Sequence, residues 1–450
     1  MYNLTFNVMS QPLVFPITES EQYLGESRQG KYIKSYLEKL GARTCILEKP
    51  YIDKDFAIEY QLFYSRSFFP YSKETTRIHF FSKDFTYDDF KLALESQIEA
   101  FISEFQESYL GFSVIKPIPD KDGNFIIGRT LLATYPSEDN RKKRIYLKTK
   151  QKASLFGINL SIESIPFQAQ DNGVSACATI ALWTALQSIT DVFGIPKLSP
   201  AEVTETSAIL PFTGRTFPQT GLYPEQMIDC IRSLNLDVEI LDLENRDNDN
   251  FLTTAIKAFI AMDVPLIILL KMTMENESPG FHAAVVTGYQ CDKDENVTEL
   301  YIHDDQIGPY SRVKPDPTTN SFNKWSNEWS DEGYEVIPLM ALIPVYHKIR
   351  QDFAQMYAHL ESMKELLYER LGAEAEETNL NIRLYLQSVQ TYKSYISRKI
   401  IDNKIEILFN HLPRYLWVLR YSLNEVILFD EIYDGTEVYP KLLTGILYSQ

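Results

Sequence analysis

Four residues of this chain carry side chains that acyl-transfer chemistry uses, and they come in the order Gln170, Cys177, His282, Asp304. Thiol catalysis needs a thiolate, an imidazole within hydrogen-bond reach, a third group to orient the imidazole, and donors for the oxyanion. Cys177 follows a polar loop containing Gly173 and opens a run at helical spacing, Ala178, Ala181, Leu182, Ala185 and Leu186, with Ser175 as N-cap. In the first turn of that helix the dipole favours the thiolate, the nucleophilic form. His282 enters the apolar strand Ala283 to Tyr289, which can hold its ring rigidly. Asp304 ends the next strand, Leu300 to His303, and Gly308 lets the chain turn away. Asp305 competes with Asp304, and neighbours on a strand face opposite sides. Gln168 competes with Gln170 as the donor. Each residue also has a bland reading: a cysteine packing a helix start, a strand-entry histidine, an Asp-Asp turn before glycine, a solvated loop glutamine. The ordered constellation is harder to produce by accident than any one of them.

The elements that must position these groups form the middle of the chain, about 151–345. After the Cys177 helix, Ser199-Pro-Ala-Glu202 reads as a capped helix start. A Gly/Thr/Pro loop from Phe212 to Gly221 precedes a helix at Tyr223 to Leu234, a strand at Val238 to Leu241 and a helix at Phe251 to Met262. Pro265 to Lys271 is a buried strand. Residues 1–150 read as a mixed α/β region: a helix from Ser20 to Leu40, strands at Thr44 to Leu47 and Ile78 to Phe81, a helix from Tyr87 to Phe105, and paired strands at Tyr109 to Ile118 and Phe125 to Leu132 joined by Pro119–Gly123. His79 reads as a packing histidine, and Arg141-Lys-Lys-Arg144 as a solvated basic turn. From 346 to 450 the pattern changes to a long amphipathic helix, Ile349 to Leu371 closed by Gly372, then an acidic linker with Glu374, Glu376 and Glu377, then strands between Arg414 and Val438. The class expected is α+β.

Composition narrows the function. A formal net charge of −17 argues against non-specific binding to nucleic acid or an anionic membrane. The four cysteines, Cys45, Cys177, Cys230 and Cys291, are far apart with no CxxC pair, so a reduced compartment is expected and neither a disulfide framework nor a metal or cofactor. Residues 1–20 show no signal-peptide pattern, and the apolar run Val264–Leu270 is too short to span a bilayer. The expectation is a cytoplasmic protein acting on a protein or peptide, its oligomeric state open.

Taken together, Gln170…Cys177-Ala-x-x-Ala-Leu-Trp183, Gly221-Leu222 before a helix, Val264-Pro-Leu-Ile267, and His282-Ala-Ala-Val-Val-Thr-Gly-Tyr289 followed by Asp304-x-x-x-Gly308 resemble the papain-like superfamily. The likeness is to its bacterial branch of bacteriocin-leader (double-glycine) peptidases, and it covers about 160–345. It implies a cysteine-bearing helix packed on an antiparallel sheet that carries the histidine. It also implies Cys177 as nucleophile, His282 as general base and acid, Asp304 as orienter and Gln170 as oxyanion donor. The family's glutamine stands six residues before its cysteine, the place Asp171 fills here. The implied reaction is hydrolysis of a peptide or isopeptide bond through an acyl-thioester. The alternatives are transfer of that acyl group to an amine, or an inactive fold kept as a binding scaffold.

Overall fold

The computed structural model describes residues 13–96, 99–136, 142–171, 176–208, 221–244, 250–371, 380–424 and 426–448. The expected Ser175 cap and Gly173, the 212–220 part of the Gly/Thr/Pro loop, Arg141, Gly372 and the acidic linker lie outside these. The fold is α+β with antiparallel sheets. It divides into two compact units, 1–188 with 197–227 and 301–311, and 189–196 with 228–300 and 312–450. Among the described residues no helix is long and apolar enough to cross a membrane.

The first unit is built on a sheet of five strands in chain order, β1 (Leu13–Pro16), β2 (Thr44–Tyr51), β3 (Thr75–Phe81), β4 (Tyr109–Pro119) and β5 (Phe125–Leu132). The expected long N-terminal helix is two helices, α1 (Glu21–Leu24) and α2 (Arg28–Lys39). Gly25 breaks them apart at φ +74°, and the Ser27 hydroxyl caps α2 by accepting from the Gly30 N–H at 3.1 Å. Asp53 caps α3 (Lys54–Leu62) in the same way at 3.0 Å. Helices α4 (Tyr87–Ser96) and α5 (Glu99–Ser108) stand where one was expected. The expected hairpin is β4–β5, with Pro119 opposite Phe125. Strand β6 (Lys143–Tyr146) precedes a second hairpin, β7 (Thr149–Leu155) with β8 (Ile158–Ser164). His79 is fully buried and hydrogen-bonded, Nδ1 to the Tyr109 hydroxyl at 3.0 Å and Nε2 to Glu48 at 3.4 Å. Burial pushes it down to about 4, so it stays neutral and structural, as its sequence setting suggested. Helices α6 (Cys177–Phe193) and α7 (Pro200–Ser207) follow, and α7 starts with the full Ser199/Glu202 capping box.

The second unit carries α8 (Pro224–Ser233) from residue 228 on, β9 (Leu236–Asp242), α9 (Asn250–Ile260), β10 (Leu266–Thr273) and β11 (Gly280–Cys291). A turn at Asp292–Asn296 leads to β12 (Val297–Asp304), whose residues from 301 on belong to the first unit and whose Thr298 meets Gln290. Then come β13 (Gly308–Pro315), β14 (Trp325–Ser326), the short α10 (Glu328–Asp331) and β15 (Glu335–Tyr346). In this unit β10 lies between β11 and β15, and β15 also pairs with β9 and β14. The long C-terminal helix is α11 (Phe353–Leu371), and Phe353 packs with Phe251 and Phe259 of α9 and with Trp417. A last antiparallel sheet orders β16 (Leu380–Ser388), β17 (Tyr415–Leu423), β18 (Val426–Asp434) and β19 (Leu442–Leu447). Helices α12 (Val389–Ser397) and α13 (Lys404–Phe409) lie between β16 and β17 in the chain.

The start of α11 gives a stability prediction. Glu239 of β9 accepts the Phe353 N–H at 2.9 Å, satisfying one orphan donor of the helix. Burial pushes the Glu239 carboxyl up to about 7. A raised folded-state value contributes stability that is full below the ordinary carboxylate range and lost as pH rises through about 7. Glu239→Gln keeps an acceptor and cannot ionise. It is expected to be more stable than the wild type by about 1 kcal/mol at pH 8, with the gap nearly closed by pH 4.5. Urea melts at the two pH values measure this, and an equal gap at both would contradict it.

Candidate functional site

Cys177 is the first residue of α6. The helix starts there because the Ala176 carbonyl takes the first helical N–H, that of Ile180, at 3.1 Å. Behind Cys177 the helix is buried on all sides from Ala178 to Ile189, with Leu182, Trp183, Ala185 and Ile189 completely so and Thr179, Thr184, Gln187 and Ser188 as its buried polar residues. This is the signature of a helix running through a core, and it reaches a surface at Cys177 and again at Asp191. Of the four cysteines, Cys45, Cys230 and Cys291 are buried and Cys177 alone is partly exposed. Burial pushes Cys45 up to about 12, which makes it inert.

Three pieces of the first unit hold the cysteine, glutamine and aspartate segments in a common frame. The Phe167 N–H and carbonyl both bond to Thr130 of β5, at 2.9 and 2.8 Å. The Thr184 hydroxyl of α6 reaches the Pro166 carbonyl at 3.4 Å. His303 of β12 stands edge-on to Phe167 at 5.9 Å and to Tyr310 at 4.6 Å. Burial holds His303 down to about 3, so it is a neutral linking residue. The Tyr310 hydroxyl meets the Ile165 N–H and the Ser164 hydroxyl, each at 3.1 Å. Gly308 has a steric reason: a Cβ there would sit 2.1 Å from the Tyr32 ring, so glycine is set by close approach and not by a left-handed turn.

The glutamines behave differently. Gln168 is buried, and its Nε2 donates to Glu59 Oε1 of α3 at 3.3 Å. Gln170 is half-buried. Asp171 is ion-paired with Lys116 of β4 at 3.5 Å, and Lys116 also meets Glu59 at 2.5 Å. Burial alone would lower the Lys116 value, but Glu59 and Asp171 outweigh it and the ammonium is retained. Burial pushes the Glu59 carboxyl up to about 7. Neither Lys116 nor Glu59 stands out in the sequence as a site residue. The available signal was a lysine inside the apolar strand Val114-Ile-Lys-Pro-Ile118.

Asp304 is completely buried and ends β12. Its Oδ1 accepts the Gln306 N–H at 2.9 Å and its carbonyl accepts the Ile307 N–H at 3.0 Å. The aspartate therefore also shapes its turn. Asp305 lies past the strand end, in the turn, and is buried too. The alternation that was expected to send Asp305 to the opposite face does not extend to it. Its carbonyl takes the Gln29 Nε2 at 3.0 Å.

His282 belongs to the second unit, while Cys177, Gln168, Gln170, Asp304 and Asp305 belong to the first. It is the third residue of β11, opposite Leu270 of β10, and is buried. The Trp329 ring packs edge-on to it at 5.9 Å. Trp329 sits on α10, which Asn327 caps by accepting the N–H groups of Trp329 and Ser330 at 3.2 and 3.3 Å. That cap fixes an aromatic wall against one edge of the imidazole. Trp329 too is inconspicuous in the sequence, since its strand-to-helix context gives no periodic signal.

No protein-family model matches the chain, and no curated protein sequence is significantly similar to it.

Proposed function

We propose that the chain is a papain-like cysteine hydrolase that cleaves a peptide or isopeptide bond. The reading is carried by Cys177, the partly exposed cysteine at the head of a helix that is buried from Ala178 to Ile189. The ordered Gln170, His282 and Asp304 support it, with His282 in β11, Asp304 at the end of β12 and Gln170 in the irregular stretch before α6. In this mechanism the Cys177 sulfur attacks the carbonyl carbon and His282 accepts the thiol proton. The Gln170 amide and backbone N–H groups at the start of α6 receive the oxyanion. The C–N bond then breaks, His282 passes its proton to the leaving amine, and water hydrolyses the acyl-thioester. Asp304 accepts a hydrogen bond from the imidazole and fixes its tautomer. An amine in place of water would make the same site a transferase.

Exposure alone would make Cys177 the most readily labelled cysteine, so the test must go further. At pH 6 a free thiol is almost wholly protonated and alkylates slowly. Cys177 in the native protein is expected to react with iodoacetamide at least about tenfold faster than a free cysteine at that pH, and His282→Ala to remove the advantage. A rate equal to that of free cysteine, unaffected by His282→Ala, would leave the inactive scaffold as the better description.

A further inference from the structure

The segment that precedes the nucleophile loop is anchored from inside the first unit. Lys116 is 2 % exposed at its side chain, and its two partners, Glu59 and Asp171, are fully buried there. A buried ammonium is tolerated only with such partners, and removing one side of the arrangement costs far more than an exposed pair would. Glu59 divides its carboxylate: one oxygen meets Lys116 at 2.5 Å and the other takes the Gln168 amide at 3.3 Å. Lys116 in turn reaches Asp171 at 3.5 Å. Both ends of the 168–171 segment are thereby tied to one buried charge cluster, and the Ala169 N–H is tied to the Ile127 carbonyl at 3.0 Å. Gln170 is the half-buried residue between these ties. The same network engages the Gln168 amide, so it separates the two glutamines that the sequence left as alternatives.

We propose that Lys116 is a positioning residue for Gln170: through Glu59, Gln168 and Asp171 it fixes the backbone from which the oxyanion donor reaches. This rests on the cysteine-hydrolase reading. The ammonium touches no substrate. Its effect is confined to steps that build an oxyanion, because a donor misplaced by a fraction of an ångström loses most of its value at that stage.

Two reactions of Cys177 tell a positioning role from a general loosening. With p-nitrophenyl acetate the sulfur attacks the acetyl carbonyl through a tetrahedral oxyanion, the C–S bond forms, the C–O bond breaks and p-nitrophenolate leaves. With iodoacetamide the sulfur displaces iodide at a saturated carbon, and no oxyanion forms. In the full-length chain, Lys116→Met is expected to slow acetylation of Cys177, read by mass of its peptide, at least about tenfold while alkylation changes less than about twofold. Glu59→Gln keeps the volume and weakens the hold on Lys116, and a selective loss of about threefold is expected. If Lys116→Met does not fold, the Glu59→Gln ratio decides alone. An unchanged ratio of acetylation to alkylation, or a parallel fall in both, overturns the proposal. A wild-type protein that is not acetylated at Cys177 at all refutes the hydrolase reading on which the proposal stands. Acetylation that is normal in wild type and in both variants refutes the positioning role alone.

Discussion

Cys177→Ala is expected to lose every hydrolytic or transferase turnover, a fall of about a thousandfold or more, to the background of the uncatalysed reaction. The loss should come without loss of the fold. Cys177 lies at the partly exposed end of α6, and the interior of that helix, from Ala178 through Ile189, is untouched by the change. Removing one sulfur at such a position costs about 1 kcal/mol or less, well short of a core cavity. The two measurements are turnover of an activated ester and a thermal melt on the same preparation. Full turnover in a folded variant would end the hydrolase reading, because none of the buried cysteines is placed to substitute.

The second large effect belongs to the acid. Asp304→Ala is expected to lower turnover at least about tenfold, Asp304→Asn to be milder, and Asp305→Ala to cost little. Asp304 has a double task in this reading. Its Oδ1 already accepts the Gln306 N–H, and its carboxylate would also receive the imidazole hydrogen bond. A carboxylate has lone pairs for both. Asparagine keeps an oxygen for the turn and loses the charge that stabilises the imidazolium. Alanine loses both, and should also destabilise the turn by about 1 kcal/mol. Melts run beside the kinetics separate the turn from the chemistry: Asp304→Asn should hold its stability while its rate falls. A crippled Asp305→Ala beside a normal Asp304→Ala would move the role one residue along. Normal rates in all three would reduce the site to a cysteine–histidine pair.

Much of the framework was legible because local chemistry is explicit in the chain. Ser199-Pro-Ala-Glu202 announces a capping box and forms one. Pro119–Gly123 announces a hairpin, and Phe125 lies opposite Pro119. The strands around His282 and Asp304 are apolar runs bounded by polar turns, and β11 and β12 form there. The failures have physical causes too. The 20–40 helix pattern is continuous in its apolar spacing, but Gly25 takes a left-handed conformation and splits it. Strand β15 is disguised by Pro338 and Pro344, which usually end strands. The ladder accommodates Pro338 at a register shift beside Leu270. The charge cluster of Lys116, Glu59 and Asp171 joins residues 55 or more apart in sequence, and no periodicity reports such a contact. The Asp304/Asp305 choice depended on where β12 stops, and a strand end is set by the turn's hydrogen bonds more than by the strand's own pattern.

The first unit is discontinuous, and that bears on how the chain is made. Its aromatic cluster joins Tyr36, Tyr135 and Tyr146 to Tyr301 and Tyr310, which arrive only after the 228–300 stretch of the other unit has been synthesised. At ordinary translation speeds that is a delay on the order of ten seconds, during which Tyr36 and Tyr146 lack their late partners. A nascent chain arrested before residue 301 should therefore be protease-sensitive through 1–227, and one released past 311 should not. The ribosome, in effect, withholds the closing piece of the unit that holds Cys177 until the strand of His282 already exists.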